Sequence, residues 1–143
     1  MPFAPVGLTP LIGVFDMPRS LRFYIDLLGF EIVSASPEVT TREGTFSHWV
    51  WIKLGAAEIM LNTQFDSNER PDTSETTRAA AHADTVFYIG CADIDAAYEH
   101  LTGRGLQAEP PKPAPYGLRV FGTTDPDGYA LVFQEVRYPI EGY

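Results

Sequence analysis

One pattern occurs twice in this chain, and it limits the fold more than any other feature. Residues 8–15 read as a strand bounded by Pro and Asp, Asp16 stands where a helix N-cap belongs, and Pro18 falls in the first turn. Leu21, Tyr24, Ile25 and Leu28 then recur at helical spacing, with Gly29 just past the end. At a spacing of 77 residues the pattern returns, Val86 matching Thr9 and Asp93 matching Asp16. Residues 85–91 form the strand, and Ile94, Ala97, Tyr98 and Leu101 form a helical stripe closed by Gly103 and Gly105. Three strand candidates come after each helix: 30–34, 45–53 and 58–63 in the first half, 106–109, 118–124 and 129–135 in the second, with a proline-rich loop at 110–115. Strand, helix and three strands, twice, predict an α+β fold of two βαβββ modules.

The stretch between the halves is rich in Asp, Glu, Ser, Thr and Arg, contains Pro71 and has no apolar period, so it reads as a linker. Module one is placed at about 7–64, the linker at about 65–83, module two at about 84–136 and a tail at 137–143, within the length of one domain of 143 residues. Hydrophobic residues make up 45% and charged residues 20%, as in ordinary globular proteins. The net charge of −9 repels phosphate backbones and anionic membranes, which argues against both as partners. A lone Cys91 makes no internal disulfide, and residues 3–15 are too short and too proline-broken to span a bilayer. The expectation is a soluble cytoplasmic protein.

Four phrases carry a more specific signal: Ser20-Leu-Arg-Phe-Tyr-Ile-Asp-Leu-Leu-Gly-Phe30, Ala92-Asp-Ile-Asp-Ala-Ala-Tyr98, Pro115-Tyr-Gly-Leu-Arg119 and Asp125-Pro-Asp-Gly-Tyr129. Over about residues 7–136 the chain resembles the glyoxalase, bleomycin-resistance and ring-cleaving dioxygenase superfamily, also called vicinal oxygen chelate. The resemblance implies two curved half-sheets making an eight-stranded mixed sheet around a groove for a small ligand, often completed by a second subunit. Enzymes of the superfamily hold one metal with four ligands, typically His, Gln or Glu, on the first and last strands of each module. Aligned on the Asp16 and Asp93 turns and on the hairpins, those places fall on Thr9, Met60, Val86 and Val132. A divalent ion needs several N or O donors, and this set does not supply them. The resemblance is therefore closer to the metal-free bleomycin-resistance branch, whose members bind and sequester a ligand, and no cofactor is expected.

Strand alternation says what a groove would contain. A turn at Gly55 pairs Lys53 with Glu58, which sets Trp51 opposite Met60 and Trp49 opposite Asn62. In the second module a four-residue Asp125–Gly128 loop would pair Thr124 with Tyr129, setting Phe121 beside Val132 and Arg119 beside Gln134. The predicted ligand-binding residues are Trp49, Trp51, Met60, Asn62, Tyr88, Tyr116, Arg119 and Phe121, with Thr9, Leu11, Val86, Val132 and Gln134 completing the lining. The competing reading makes the tryptophans mere core and Arg119 a strand residue paired with a carboxylate.

Other motifs carry less. His48, His82 and His100 share no metal-binding spacing, and Ser47 and His48 point to opposite faces of a strand, so they cannot act as nucleophile and base. Cys91 has the parity of Phe87 and Ile89 and reads as a buried thiol. Asp125-Pro-Asp-Gly128 is read as a hairpin turn, not a calcium loop, because Tyr129 takes the next ligand position. The reading is a metal-independent protein that binds an aromatic or cationic small molecule without a catalytic residue, acting as a homodimer. The rivals are a metal-dependent lyase, isomerase or dioxygenase with displaced ligands drawn from His48, His82 or Glu58, and a regulatory module that senses a metabolite.

Overall fold

A computed structural model of the chain describes residues 3–136, so the tail placed at 137–143 lies outside the described residues. The chain divides into two compact units, one ending at Asp72 and the other beginning at Thr73, and each holds one copy of the repeat. The first contains β1 (Leu11–Val14), α1 (Met17–Leu21), β2 (Glu31–Ala35), β3 (Val39–Thr41), β4 (Gly44–Phe46), β5 (Trp49–Leu54) and β6 (Ala57–Thr63). The second contains α2 (Thr76–Ala81), β7 (Val86–Cys91), α3 (Ile94–Gly103), β8 (Lys112–Pro113), β9 (Arg119–Thr124) and β10 (Ala130–Glu135).

The sheet orders are β1-β6-β5-β2 and β7-β10-β9-β8, the same path traced twice. In each, the first strand runs parallel to the last and the other pairings are antiparallel. The result is α+β with two four-stranded mixed sheets and a β3–β4 ribbon, in place of the continuous eight-stranded sheet that the resemblance implied. In each sheet the first strand and the strand that follows the helix stand at the two edges.

The helix of each repeat, α1 and α3, begins as its sequence requires. The Asp16 carboxylate accepts the Arg19 N–H at 3.1 Å, and that of Asp93 accepts the Ala96 N–H at 3.0 Å. Past α1 the helix widens over Arg22–Leu27, where the Leu28 N–H bonds the Phe23 carbonyl at 3.0 Å, five residues back. Val50, Ile52, Ile59 and Leu61 are buried on one sheet face with Ile12 and Val14, and Met17, Tyr24 and Leu28 of the helical segment join them in the core. Each such side chain contributes about 1.5–3 kcal/mol by leaving water.

The duplication extends to a matched pair of glycines. Gly13 lies opposite Asn62 and Gly90 opposite Gln134. A Cβ on either would stand 3.1 Å from the Gln64 side chain or 3.0 Å from that of Val136. The residue just past the last strand thus folds over the first strand in both units.

Three expectations are corrected. The strand expected at 106–109 is absent, and its place is taken by the two residues of β8, whose neighbouring prolines cannot donate to a ladder. The strand expected at 45–53 is broken before Trp49, where the Ser47 hydroxyl donates to the Ser36 carbonyl at 2.7 Å. The linker contains α2 and a 3-10 turn, His82–Asp84, held by docking and not by any apolar stripe. His82 stacks on Tyr129 with centroids 4.1 Å apart, and its Nδ1 hydrogen-bonds to the Asp127 carbonyl at 2.7 Å.

Gly128 is the seat of that docking. Its φ is +91°, and a Cβ would lie 2.3 Å from the Ala79 carbonyl oxygen. Gly128→Ala is expected to cost about 2 kcal/mol from backbone strain and displacement of α2. Urea unfolding would check it, and a stability within 0.5 kcal/mol of the parent, on the scale of a neutral surface change, would contradict this packing.

Candidate functional site

Each half-sheet has a core face and an open face. In the first unit the register is the expected one: Trp49 opposite Asn62, Trp51 opposite Met60 and Lys53 opposite Glu58, with Leu54 and Ala57 closing a two-residue turn. Because Val50 and Ile52 fill the core, Trp49, Trp51, Met60 and Asn62 stand on the other face, half-buried. The two indoles meet edge to face, 6.5 Å between centroids. Trp51 Nε1 is buried with no hydrogen-bond partner, a donor whose desolvation is uncompensated.

In the second unit the expected register is off by one residue. The Asp125 N–H bonds the Tyr129 carbonyl at 2.9 Å, and Thr124 pairs with Ala130, so the loop is the three residues Pro126, Asp127 and Gly128. A turn ending in a glycine of positive φ is the usual form of such a loop. The Asp125 carboxylate fixes it by accepting the N–H groups of Asp127 and Tyr129, both at 2.9 Å. A slip of one residue exchanges the faces of a strand.

Phe121 therefore pairs with Phe133 on the core face, stacked on it at 4.8 Å and meeting Tyr98 of α3 edge-on at 5.4 Å. Arg119 has the same parity, and its guanidinium grips Asp95 of α3 with two hydrogen bonds of 2.8 Å. That pair holds the Asp95 carboxyl below its ordinary range. Both residues are thus removed from the open face. What β9 places there is Val120 and Gly122, opposite Gln134 and Val132. The alternation missed them because it was counted from the wrong loop length.

Tyr88 is exposed on the open face of β7, opposite Val132, and Val86 lies opposite Ala130. Tyr116 reaches this face from the loop before β9, where its hydroxyl donates to Gln134 Oε1. Partial desolvation and the neighbouring Tyr88 raise the Tyr116 hydroxyl above its ordinary value.

Thr9, Met60, Val86 and Val132, to which the resemblance assigns the metal-ligand positions, make a donor set that does not fit a divalent ion. Among the described residues no group of three or more His, Cys, Asp and Glu is arranged to hold one. His48 spends both ring nitrogens, on the Thr63 hydroxyl at 2.6 Å and the Ser67 hydroxyl at 2.8 Å. His82 Nε2 lies 3.3 Å from the Tyr129 hydroxyl. Glu58 stands opposite Lys53 across the hairpin. Burial pushes the Cys91 thiol up, away from nucleophilic use. No helix among the described residues is long and apolar enough to cross a membrane.

The repeated βαβββ path and its paired open faces define a class, and the sequence matches that class directly. Residues 8–133 match the family model of the Glyoxalase/Bleomycin resistance protein/Dioxygenase superfamily, and the chain belongs to that superfamily. Among solved structures it resembles a superfamily member from Sphaerobacter thermophilus DSM 20745, at 25% identity and a TM-score of 0.63 over 95% of this chain and 100% of that one. It also resembles a bleomycin resistance determinant encoded on the transposon Tn5, at 18% identity and a TM-score of 0.69 over 94% and 100%. A third is a bleomycin-binding protein from bleomycin-producing Streptomyces verticillus, complexed with copper(II)-bleomycin, at 19% identity and a TM-score of 0.67 over 94% and 99%. No curated protein sequence matches the chain.

Proposed function

We propose that this protein binds and sequesters an aromatic or cationic small molecule, in the manner of a bleomycin-resistance protein, without a metal and without transforming the ligand. The observation that carries the reading is the open face of the first half-sheet. There two indoles and the Met60 thioether form an apolar aromatic surface beside the polar Asn62, the makeup of a small-molecule site. The unfitting donor set at Thr9, Met60, Val86 and Val132 supports the metal-independent part, and the net charge of −9 favours a cationic ligand.

Bleomycin is the first compound to test, because related folds bind it. Titration is expected to quench tryptophan fluorescence saturably and equally before and after chelator treatment, with intact bleomycin recovered. One tightly held divalent ion per chain by elemental analysis, or chemical conversion of the ligand, would overturn the reading.

A homodimer belongs to the same proposal. Phe3, Val6, Leu8 and Leu11 are exposed along the extended N-terminal segment and β1, and Ile32 and Val33 are exposed on the edge strand β2. Exposed apolar side chains of this kind are what a second copy of the chain would cover. Sedimentation at micromolar concentration is expected to give a dimer, and a Leu8→Glu variant a monomer. A monomeric parent would contradict this.

A further inference from the structure

The pairing of β5 with β6 runs one step past the two strands. The Thr63 N–H bonds the His48 carbonyl at 2.9 Å, so His48 stands opposite Thr63 as Trp49 stands opposite Asn62. Thr63 has the parity of Ile59 and Leu61, and His48 that of Val50 and Ile52, which puts both side chains at the end of the core face and not beside Trp49. Three residues hold the imidazole there. The buried Phe46 ring meets it edge-on with centroids 5.1 Å apart, Nδ1 lies 2.6 Å from Thr63 Oγ1, and Nε2 lies 2.8 Å from Ser67 Oγ. Ser67 comes from the loop beyond β6 and is half-buried. Ser47 and His48, adjacent in sequence, cannot act as nucleophile and base, but the fold brings a different serine to the same ring.

We propose that Ser67 is a nucleophile activated by His48, a site of covalent modification by activated acyl esters, with Thr63 as the positioning residue. A neutral imidazole has one N–H donor and one acceptor nitrogen. Between two hydroxyl partners it therefore donates to one and takes a hydrogen bond from the other. Here Nδ1–H donates to Thr63, and the Ser67 hydroxyl donates to Nε2. That supplies a nucleophile, a base within hydrogen-bond reach of it, and a third group that orients the base. Thr63 carries a hindered secondary hydroxyl on a β-branched side chain, whereas Ser67 carries a primary one on a loop, so the serine is the group a reagent reaches.

The Ser67 oxygen attacks the carbonyl carbon of the ester as its proton passes to His48 Nε2. The bond from that carbon to the leaving phenolate breaks with its electron pair, and Nε2 hands the proton to the phenolate. An acyl-serine and a free phenol result, with nothing oxidised or reduced. This reactivity goes beyond the binding role above, and its residues are separate from the aromatic surface that carries that role.

The probe is p-nitrophenyl acetate, applied to the full chain and read by peptide mapping in a mass spectrometer. Ser67 is expected to gain an acetyl group about 100-fold faster than Ser74, an exposed serine of the same chain. His48→Gln, which can still hydrogen-bond but cannot take up the proton, should slow acetylation of Ser67 by about 100-fold or more, with the thermal melt unchanged. Thr63→Val should slow it as well, and Thr63→Ser should restore it. Acetylation of Thr63 in place of Ser67, a Ser67 rate no higher than that of Ser74, or an undiminished rate in folded His48→Gln would overturn the proposal. The comparison with Ser74 is made within the parent chain, so it decides the matter even where a variant fails to fold.

Discussion

Phe121→Ala is expected to lower folding stability by about 3–5 kcal/mol, with a fall in Tm of roughly 10 °C or more. Phe121 is 3% exposed, stacked on Phe133 with the rings 13° from parallel, and closed over by Tyr98 of α3 at 81°. Truncating it removes the ring from between a strand and a helix, and the rigid sheet beneath can close only part of the cavity. Phe121→Leu keeps much of the volume and should cost under about 2 kcal/mol. The alternation counted from a four-residue loop would instead put this ring on the open face, where its loss would weaken a ligand and spare the fold. Urea unfolding of the two variants separates these cases. A nearly unchanged midpoint for Phe121→Ala would mean that the β9–β10 register is not the one described.

That residue also marks where the sequence stopped being legible. The repeated strand, N-cap and helical stripe are local signals, and they predicted both βαβββ paths because Asp16 and Asp93 can cap only the helical turns directly after them in the chain. The β5–β6 register was equally readable, since Leu54 and Ala57 leave only Gly55 and Ala56 for the turn. The β9–β10 register was not, because Asp125-Pro-Asp-Gly128 fits a four-residue loop or a three-residue loop closed by Asp125 and Tyr129. The choice was made by the Asp125 side chain, which binds two N–H groups of the loop. From that one residue came the misplacing of Phe121 and Arg119. The α2 helix was invisible for a different reason: Thr76–Ala81 has no buried residue of its own. Its order comes from Gly128 and Tyr129, some fifty positions away in sequence. Tyr116 was placed only at a rim, since no periodicity reports where a loop residue will reach.

Trp51→Ala is expected to weaken ligand binding by about 1–3 kcal/mol, roughly 5- to 150-fold, as for an aromatic anchor at the centre of a site. The ring lies between Ser34 and Met60 on its neighbouring strands and beside Trp49, on the face opposite the core residues Val50 and Ile52. Its removal opens no cavity under the helix, so the folding cost should stay well below the roughly 3–5 kcal/mol of a buried aromatic. The unpartnered Nε1 sharpens the contrast. Alanine deletes an unsatisfied donor along with the ring, which offsets part of the packing lost, whereas Trp51→Phe deletes the donor and keeps a stacking surface. Bleomycin titration monitored by the fluorescence of the remaining Trp49, with urea unfolding of the same samples, supplies both quantities. Trp51→Phe should keep most of the affinity if stacking dominates, and should fall with Trp51→Ala if the indole N–H is what the ligand satisfies. A Trp51→Ala protein that loses 3 kcal/mol or more of stability and binds with unchanged affinity would make this ring part of the core and take the aromatic surface away from the proposed site.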